Sequence, residues 1–250
     1  MPANFRQRFL SGERLFGTML TLPSGTVAEI LSDAGFDWLF VDAEHGPFEA
    51  AELQLVLQTV SRRTPCLVRV PSHGEVPIKR SLDLGAAGII VPQVNTAAQA
   101  ELMVEYARYA PLGARGVGIG RAHGYGLDFQ GYIDRANEQT TVIVQTEHIC
   151  SVENIEEIAR IPGVDGVLIG PYDLSASMGL MGQIDHPSVV EAIDHVTRVC
   201  QSANMKLGIF GVTTKAVRPY MERGYTLLVT GVDTVMLGLS ARKVLDDMKA

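Results

Sequence analysis

Long hydrophobic runs and an excess of basic residues are both missing from this 250-residue sequence. The longest apolar runs are strand-sized and fall short of the roughly 20 residues that span a bilayer, so the sequence predicts no membrane segment. The N-terminal stretch MPANFRQRFLSGERLFG carries charges and no uninterrupted apolar core, which predicts no secretory leader. A formal net charge of −7 gives no gain from counterion release on DNA, so a nucleic-acid partner is not expected.

Cysteine pairs are also missing. The three cysteines, Cys66, Cys150 and Cys200, are far apart in the sequence, and no C-x-x-C motif exists. An odd number of distant cysteines is typical of buried, reduced thiols and not of a disulfide framework. The His and Cys cluster of a structural zinc site is absent from the sequence as well. These features predict a cytoplasmic protein.

The sequence does contain a regular alternation of short apolar runs and longer amphipathic segments. Hydrophobic residues make up 46% of the chain, which is enough for a large core. The runs are rich in Val, Ile and Leu without strict alternation, as is typical of parallel strands covered on both faces. The eight runs are LFGTMLTL (15–22), WLFVDAE (38–44), PCLVRVP (65–71), GIIVPQV (88–94), TTVIVQTE (140–147), GVLIGPYDL (166–174), KLGIFGV (206–212) and TLLVTGVD (226–233).

Segments with apolar residues at helical spacing, such as GTVAEILSDAG and TAAQAELMVEYARYA, lie between these runs. Eight strand–helix units in a chain of this length predict an α/β fold, a (β/α)8 TIM barrel, as one domain over residues 1–250. The segment at about 108–139 breaks the alternation and predicts a long loop. A doubly wound open sheet is the alternative, which is weakened because no G-x-G-x-x-G motif follows the first run.

Polar and charged residues collect at the ends of the predicted strands, where (β/α)8 barrels build their active sites. A single acid at the end of a strand is as often a helix cap or the first solvated residue as it is a functional group. Arg69, inside LVRVP, is harder to explain in that way, because a buried guanidinium needs an anionic partner. The strand-end residues are Asp42, Glu44, His45, Arg69, Gln145, Glu147 and Asp173.

These residue types predict enolate chemistry. Glu147 and Asp173 end adjacent predicted strands and would repel each other unless a cation lies between them; two acids suit Mg²⁺ or Mn²⁺. A salt bridge from either acid to Arg69 is the structural alternative. A cation beside an arginine can bind a 2-oxo acid and stabilise the charge that enolisation creates. His45, oriented by Asp42, would serve as general base, which permits a carbon–carbon bond to form or break.

The sequence also resembles, over nearly its whole length, the HpcH/HpaI aldolases, which are class II pyruvate aldolases. The motifs that carry the resemblance are FDWLFVDAEHGP, LVRVP, LDLGAAGIIVPQV, VQTEHICSVENIEEIARIPGVDGVLIGPYDLSASMG and VTGVDTVML. The resemblance implies a phosphoenolpyruvate/pyruvate-type barrel that holds a divalent cation: Mg²⁺ first, with Mn²⁺ and Co²⁺ as alternatives. It also implies a homohexamer, built as a trimer of dimers. The implied reaction is reversible cleavage of a 4-hydroxy-2-oxo acid to an aldehyde and pyruvate, or a related 2-oxo acid such as hydroxypyruvate.

The same resemblance implies residue roles. Glu147 and Asp173 would hold the metal. His45 would be the acid/base residue, with Asp42 and Asp83 positioning or tuning it. Arg69 would bind pyruvate and stabilise its enolate, and Gln145 would contact the pyruvate moiety. The backbone N–H groups around Tyr172 and Asp173 would hold the substrate carboxylate. Arg121 and Val212 are further implied substrate-binding residues.

Two places depart from the family pattern. Tyr172 stands where several family members have a small residue beside the metal-binding aspartate. In GRAHGYGLD, Arg121 matches a family arginine, but His123 and Tyr125 differ from dicarboxylate-specific relatives. The glycine-rich loop at 113–126, which carries these residues, is expected to reach a neighbouring subunit's site. The sequence therefore leaves the aldehyde partner open.

Three alternatives to a metal-dependent aldolase follow from the same residues. A Schiff-base aldolase needs a lysine at the active rim, and only Lys215, after the seventh run, lies near that face. Decarboxylation of oxaloacetate would pass through the same enolate. A non-catalytic barrel that binds 2-oxo acids is the third alternative, which the presence of His45 as a base disfavours.

Overall fold

The computed structural model describes residues 4–250. Within this range eight parallel strands pair in chain order, and the eighth pairs with the first to close a barrel. The predicted (β/α)8 fold is therefore confirmed. The strands are β1 Leu15–Leu20, β2 Trp38–Asp42, β3 Cys66–Arg69, β4 Gly88–Val91, β5 Thr141–Thr146, β6 Gly166–Ile169, β7 Lys206–Gly211 and β8 Leu227–Val232.

Helices alternate with the strands and run outside the barrel, and a short helix precedes the first strand. The helices described are α1 Phe5–Leu10, α2 Gly25–Asp33, α3 Ala50–Val60, α4 Glu75–Asp83, α5 Ala97–Ala107, α6 Phe129–Gln139, α7 Ile149–Glu153, α8 Ile155–Ile158, α9 Pro171–Ser177, α10 Pro187–Ser202, α11 Thr214–Glu222 and α12 Asp233–Lys249. A 3₁₀ helix lies at Arg121–Gly126. None of the helices in residues 4–250 is both long enough and apolar enough to cross a membrane.

The amino end of the barrel is filled by aromatic side chains. Phe5 and Phe9 of α1 are buried in one cluster with Trp38 and Phe40 of β2. Gly166 makes room for this plug, because a Cβ there would lie 2.6 Å from the Phe9 ring. Two further apolar clusters join the outer strand faces to the helices. The barrel is thus closed at its amino end.

The segment predicted as one long loop, at about 108–139, contains the 3₁₀ helix and α6. The prediction is wrong for the last third of the segment, which is helical. Only Ala136 of α6 is buried, although Phe129, Tyr132, Ile133 and Ala136 stand at the i, i+3, i+4, i+7 spacing of an amphipathic helix, a signal in the sequence that favours this helix.

Buried polar contacts hold this segment to the barrel. The guanidinium of Arg108 donates to the Thr140 carbonyl at 2.6 Å and lies 3.2 Å from the Asp165 carboxylate. His123 is fully buried, and its Nε2 lies 3.0 Å from the Tyr109 hydroxyl. These contacts explain how a glycine-rich stretch takes one conformation.

The last helix, α12, leans away from the barrel. Only its first residue, Asp233, is buried; its carboxylate accepts the N–H groups of Thr21 and Leu22 at 3.0 and 2.8 Å. Leu237, Leu239 and other apolar side chains further along are exposed. Phe16, on β1, is 45% exposed, which is unusual for a barrel strand and marks an outer face that lacks its helix.

The cysteines agree with the prediction of unpaired thiols. All three are free, and Cys66 and Cys200 are buried. Burial raises the pKa of both buried thiols to about 12, so they stay protonated near neutral pH. Cys150 is only partly buried, which corrects the prediction that all three are buried.

Candidate active site at the carboxyl end of the barrel

The end of β2 lies beside the end of β3, with Asp42 paired in register to Arg69. Both side chains are buried, and they form a bidentate ion pair: Arg69 Nε donates to Asp42 Oδ1 at 2.9 Å and a terminal nitrogen donates to Oδ2 at 2.7 Å. The guanidinium also lies over the Phe40 ring, 5.3 Å from its centroid. The paired geometry leaves Arg69 charged and fixed at the carboxyl rim.

Asp42 also shapes the turn that follows β2. Its Oδ1 accepts the backbone N–H groups of Glu44 and His45 at 3.2 and 3.3 Å. The imidazole itself is 71% exposed and lies 3.7 Å from a Glu44 carboxylate oxygen. The same Glu44 oxygen lies 3.2 Å from Arg69 Nε. The prediction that Asp42 orients the imidazole needs correction. From His45, Asp42 accepts only the backbone N–H, and the carboxylate next to the His45 ring is that of Glu44.

Glu147 lies just past β5 with its carboxylate buried. One oxygen accepts the backbone N–H of Gln93 at 2.8 Å, and the other accepts the side-chain amide of Gln145. The amide oxygen of Gln145 is buried without a hydrogen-bond partner. Gly170 leaves a gap here, since a Cβ would lie 3.2 Å from both the Glu147 carboxylate and the Gln145 amide nitrogen.

The electrostatics around Glu147 favour its neutral form. Burial, as the largest cause, raises the pKa of Glu147 to about 7, and the nearby carboxylates of Glu44 and Asp173 act in the same direction. The Gln93 N–H and the Arg69 charge oppose this rise. Burial also raises the pKa of Glu44. The carboxylates at this rim are therefore close enough to interact electrostatically.

The raised pKa of Glu147 predicts a pH-dependent stability for the protein in EDTA. Because the folded chain binds this proton more tightly than the unfolded chain does, the contribution is fully present below pH 4.5 and is lost as the pH rises through about 7. The full change is on the order of 3 kcal/mol. Urea unfolding between pH 5 and 8 should show the free energy of unfolding of wild type falling relative to that of Glu147→Gln. Parallel pH profiles for the two proteins would contradict the assignment.

A cavity of about 430 Å³ opens at this rim, within the usual range for small-molecule sites. The structure brings most of the predicted site residues to it. Those that line it are Asp42, His45, Arg69, Gln145, Tyr172, Asp173 and Val212. Glu147 lies behind Gly170, which lines the cavity. Among residues 4–250 no group of three or more His, Cys, Asp and Glu side chains is arranged to hold a metal ion, so a cation here would rely on two carboxylates.

Two predicted residues do not reach this cavity within the chain. Asp83 lies at the end of α4, where its carboxylate accepts from Arg115 at 2.6 Å. Arg121 donates to the carbonyls of Leu84 and Leu57 at 2.8 and 3.1 Å, and so binds the carboxyl-terminal ends of α4 and α3. These helix ends lie at the amino face of the barrel, opposite the cavity. Neither residue reaches His45 or the cavity within one chain, so the predicted roles of Asp83 and Arg121 would have to be played at the site of a neighbouring subunit.

His123 and Tyr125, which follow Arg121 in the 113–126 loop, lie at the same amino face. His123 is buried under α6, and its ring contacts Phe129 at a centroid distance of 5.5 Å. Tyr125 accepts a hydrogen bond from the Gln58 side chain at 3.1 Å. Neither residue lines the carboxyl-face cavity.

Several residues at the site act through their backbone or their shape and were not predicted from the sequence. Gln93 supplies an N–H to Glu147 from a backbone with φ of 54°, a rare conformation for a residue other than glycine. Gly170 supplies space beside Glu147. Phe210 and Ile184 supply apolar wall. Gln93 sits at the end of the fourth run, which was a usable signal; the others carry no polar group to draw notice.

Comparison with known proteins places the chain in a family. The family model described as HpcH/HpaI aldolase/citrate lyase matches residues 16–238. The chain belongs to this family. The predicted resemblance is therefore confirmed across most of its length.

Individual members resemble this HpcH/HpaI chain closely. A hydroxypyruvate/pyruvate aldolase of Pseudomonas aeruginosa is 40% identical over 248 residues, which cover 98% of this chain and 92% of the relative. A 2-dehydro-3,6-dideoxy-6-sulfogluconate aldolase of Pseudomonas putida is 38% identical, with 93% and 92% covered. A crystal structure of an HpcH/HpaI aldolase/citrate lyase family protein from Burkholderia cenocepacia superposes with a TM-score of 0.94 at 36% identity, covering 98% of each chain. The two sequence relatives are named as aldolases, and the solved structure shares the fold of this chain.

Proposed function

We propose that the protein is a divalent-metal-dependent aldolase that reversibly cleaves a 4-hydroxy-2-oxo acid to an aldehyde and pyruvate, or a related 2-oxo acid such as hydroxypyruvate. One observation carries the proposal: Arg69, held by Asp42 and Glu44, shares a rim with the acids Glu147 and Asp173 and with His45. Family membership and the relatives' names agree with an aldolase that handles pyruvate.

The residues at the rim fit a divalent cation. Glu147 and Asp173 are proposed to hold it, with Mg²⁺ as the first choice and Mn²⁺ or Co²⁺ as alternatives. Three observations support this: the Asp173 carboxylate helps to raise the pKa of Glu147, the buried Gln145 amide oxygen has no protein partner, and Gly170 keeps a gap beside Glu147. A cation bound there would supply Lewis-acid stabilisation of negative charge on the 2-oxo acid.

The chain's own groups divide the rest of the chemistry. In cleavage the bond between C3 and C4 breaks, the C4 hydroxyl loses its proton as the carbonyl forms, and C3 gains a proton to complete pyruvate. His45, exposed at the rim, is proposed to move these protons and exchange them with solvent. Arg69 is proposed to face the C2 oxygen, where the enolate charge grows. Gln145, Tyr172 and Asp173, which line the cavity, are proposed to bind the pyruvate moiety.

Exchange of the methyl protons of pyruvate with D₂O, followed by NMR, tests the proposal. We expect rapid exchange with Mg²⁺ and its loss in EDTA. Glu147→Ala should weaken Mg²⁺ binding by at least tenfold in calorimetric titration, because one of two carboxylate ligands is gone. Glu153→Ala, at an exposed position on α7, is the matched control and should bind like wild type. Unchanged metal affinity in Glu147→Ala would reassign the site.

Two alternatives give different results in this system. Decarboxylation of oxaloacetate uses the same enolate, so comparing its rate with that of aldol cleavage ranks the two activities. A Schiff-base mechanism requires a lysine, and in the described part of the chain no lysine lines the cavity. Lys215, the sequence candidate, lies in the first turn of α11 outside it. Borohydride treatment with pyruvate should therefore trap no covalent adduct.

We also propose that the chain forms a homo-oligomer, a hexamer built as a trimer of dimers, in the cytoplasm. The free cysteines support that location. The exposed apolar side chains of α12 and the exposed Phe16 support burial against other copies. Light scattering should give a mass six times that of the chain for wild type. The double variant Leu237→Glu with Val244→Glu should lower this mass; a monomeric wild type would contradict the proposal.

A further inference from the structure

Hydrogen bonds join the segments that follow three neighbouring strands at the carboxyl rim. Nε2 of His73, in the loop between β3 and α4, lies 2.6 Å from the carbonyl oxygen of Pro92, which follows β4. The next backbone N–H, that of Gln93, donates to Glu147 Oε1, just past β5, at 2.8 Å. The contact between His73 and Pro92 is partly buried, which limits competition from water. His73 therefore contacts the same peptide unit that contacts Glu147.

The chemistry of the two groups fixes which of them donates. A carbonyl oxygen has no proton, so the His73 nitrogen that contacts Pro92 must carry the hydrogen. The Pro92 carbonyl and the Gln93 N–H belong to one planar peptide unit and point in opposite directions. A hydrogen bond accepted by the carbonyl oxygen polarises this unit and strengthens the bond that its N–H donates to Glu147.

The peptide unit lies in a turn whose backbone is strained. Gln93 has a φ of 54°, a conformation that residues other than glycine seldom adopt. Its side chain is exposed, so the part of Gln93 that meets the buried site is its N–H. A strained conformation persists when surrounding contacts hold it in place. The bond from His73 holds one end of the turn, and the Asn154 side chain, which donates to the Asn95 carbonyl at 2.9 Å, holds the other.

The orientation of Glu147 depends on the donors that its two oxygens accept. One oxygen accepts the Gln93 N–H and the other accepts the Gln145 side-chain amide. Together these donors fix the plane of the carboxylate, while each oxygen keeps a further lone pair for a cation. Groups that orient a metal ligand in this way affect how tightly it binds the metal. A change in the direction of the Gln93 N–H would therefore leave Glu147 free to turn.

We propose that His73 is a positioning residue for the cation site. By donating to the Pro92 carbonyl, it aims the Gln93 N–H at Glu147 and so fixes the orientation in which Glu147 binds a divalent cation. In the described range 4–250, His73 is not among the residues that line the cavity, so it acts through Gln93 and not on the substrate. The inference rests on the proposed metal-dependent function and adds a residue to it.

His73→Phe tests the proposal, because phenylalanine keeps a ring of similar size and removes the donor. The affinity for Mg²⁺ in calorimetric titration should fall about tenfold. His73→Gln, whose amide N–H can reach the Pro92 carbonyl, should restore most of it. His195→Phe makes the first substitution on α10, outside the cavity, and should bind Mg²⁺ like wild type.

The outcomes of this titration separate the inference from the proposed function. Equal Mg²⁺ affinity in wild type and His73→Phe would overturn the role of His73 while the aldolase function stands. An affinity that stays low in His73→Gln would also overturn it, because the donor would then not be what matters. Absence of Mg²⁺ binding by wild type would remove the proposed metal dependence and the inference with it.

Amide hydrogen exchange in EDTA tests the contact without a metal. The Gln93 N–H should exchange about tenfold faster in His73→Phe than in wild type, and its protection should return in His73→Gln. The amides of α10 should exchange alike in all three proteins, which mass spectrometry at residue resolution can check. Unchanged protection of the Gln93 N–H would overturn the inference. An equal acceleration at Gln93 and in α10 would overturn it too, because His73 would then stabilise the fold as a whole.

Discussion

Replacing Arg69 by methionine is expected to lower kcat for aldol cleavage by a factor on the order of 10² to 10³, the usual loss when a group that faces developing negative charge is removed. The free energy of unfolding should also fall by about 3–5 kcal/mol, because Asp42 would stay buried without its ionic partner. The two hydrogen bonds of 2.9 and 2.7 Å between Arg69 and Asp42 hold both side chains firmly in place at the rim. Steady-state kinetics and urea unfolding measure the two losses separately.

A double variant separates catalysis from folding at this pair. Combining Arg69→Met with Asp42→Asn removes both charges, and the asparagine oxygen can still accept the N–H groups of Glu44 and His45. Much of the lost stability should return, since replacing both members of a buried ion pair costs far less than removing one. Activity should remain low. Recovery of activity in the double variant would show that Arg69 serves only the fold.

Replacing His45 by alanine is expected to lower turnover by roughly a hundredfold or more, the scale of general acid–base catalysis. Stability should change little, because the imidazole is 71% exposed and its nearest acid, a Glu44 oxygen, lies 3.7 Å away. Aldol cleavage and pyruvate proton exchange should fall together, since both need the same proton transfer.

His195→Ala provides the matched control for His45. His195, on α10, lies 3.3 Å from the Glu156 carboxylate and is outside the cavity, so its loss should not affect turnover. Near-normal cleavage in His45→Ala would remove His45 from the mechanism. A loss of cleavage with proton exchange intact would instead move its role to the aldehyde side of the reaction.

The fold was predictable because each buried strand appears in the sequence as a short, continuous apolar run. Runs such as WLFVD and TVIVQT are buried along their whole length, as the continuous apolar pattern predicts. The sequence of α6 also carries a helical pattern in Phe129, Tyr132, Ile133 and Ala136, but its position directly after a glycine-rich stretch favoured a loop. The detached path of α12 was not visible in the sequence, because its apolar residues predict a helix without saying what it packs on.

Positions at the rim were predictable, whereas partners were not. Arg69 and Asp42 come to the rim because their strands end there, a local property of the chain. The pairing of Asp83 with Arg115 spans 32 residues and depends on the path of a glycine-rich segment. The bonds from Arg121 to two helix ends depend on the same path. The left-handed backbone at Gln93 depends on tertiary contacts that a single sequence does not display.

The aromatic plug of Phe5, Phe9 and Trp38 has a kinetic consequence. Because the amino end of the barrel is closed, substrates and products would enter and leave through the mouth of the cavity, where Val212 and Ile184 are exposed. In the proposed reaction the 2-oxo acid would bind near Arg69, deep in the cavity, and the aldehyde would bind nearer to its mouth. We therefore expect ordered release after cleavage, with the aldehyde leaving first and pyruvate second.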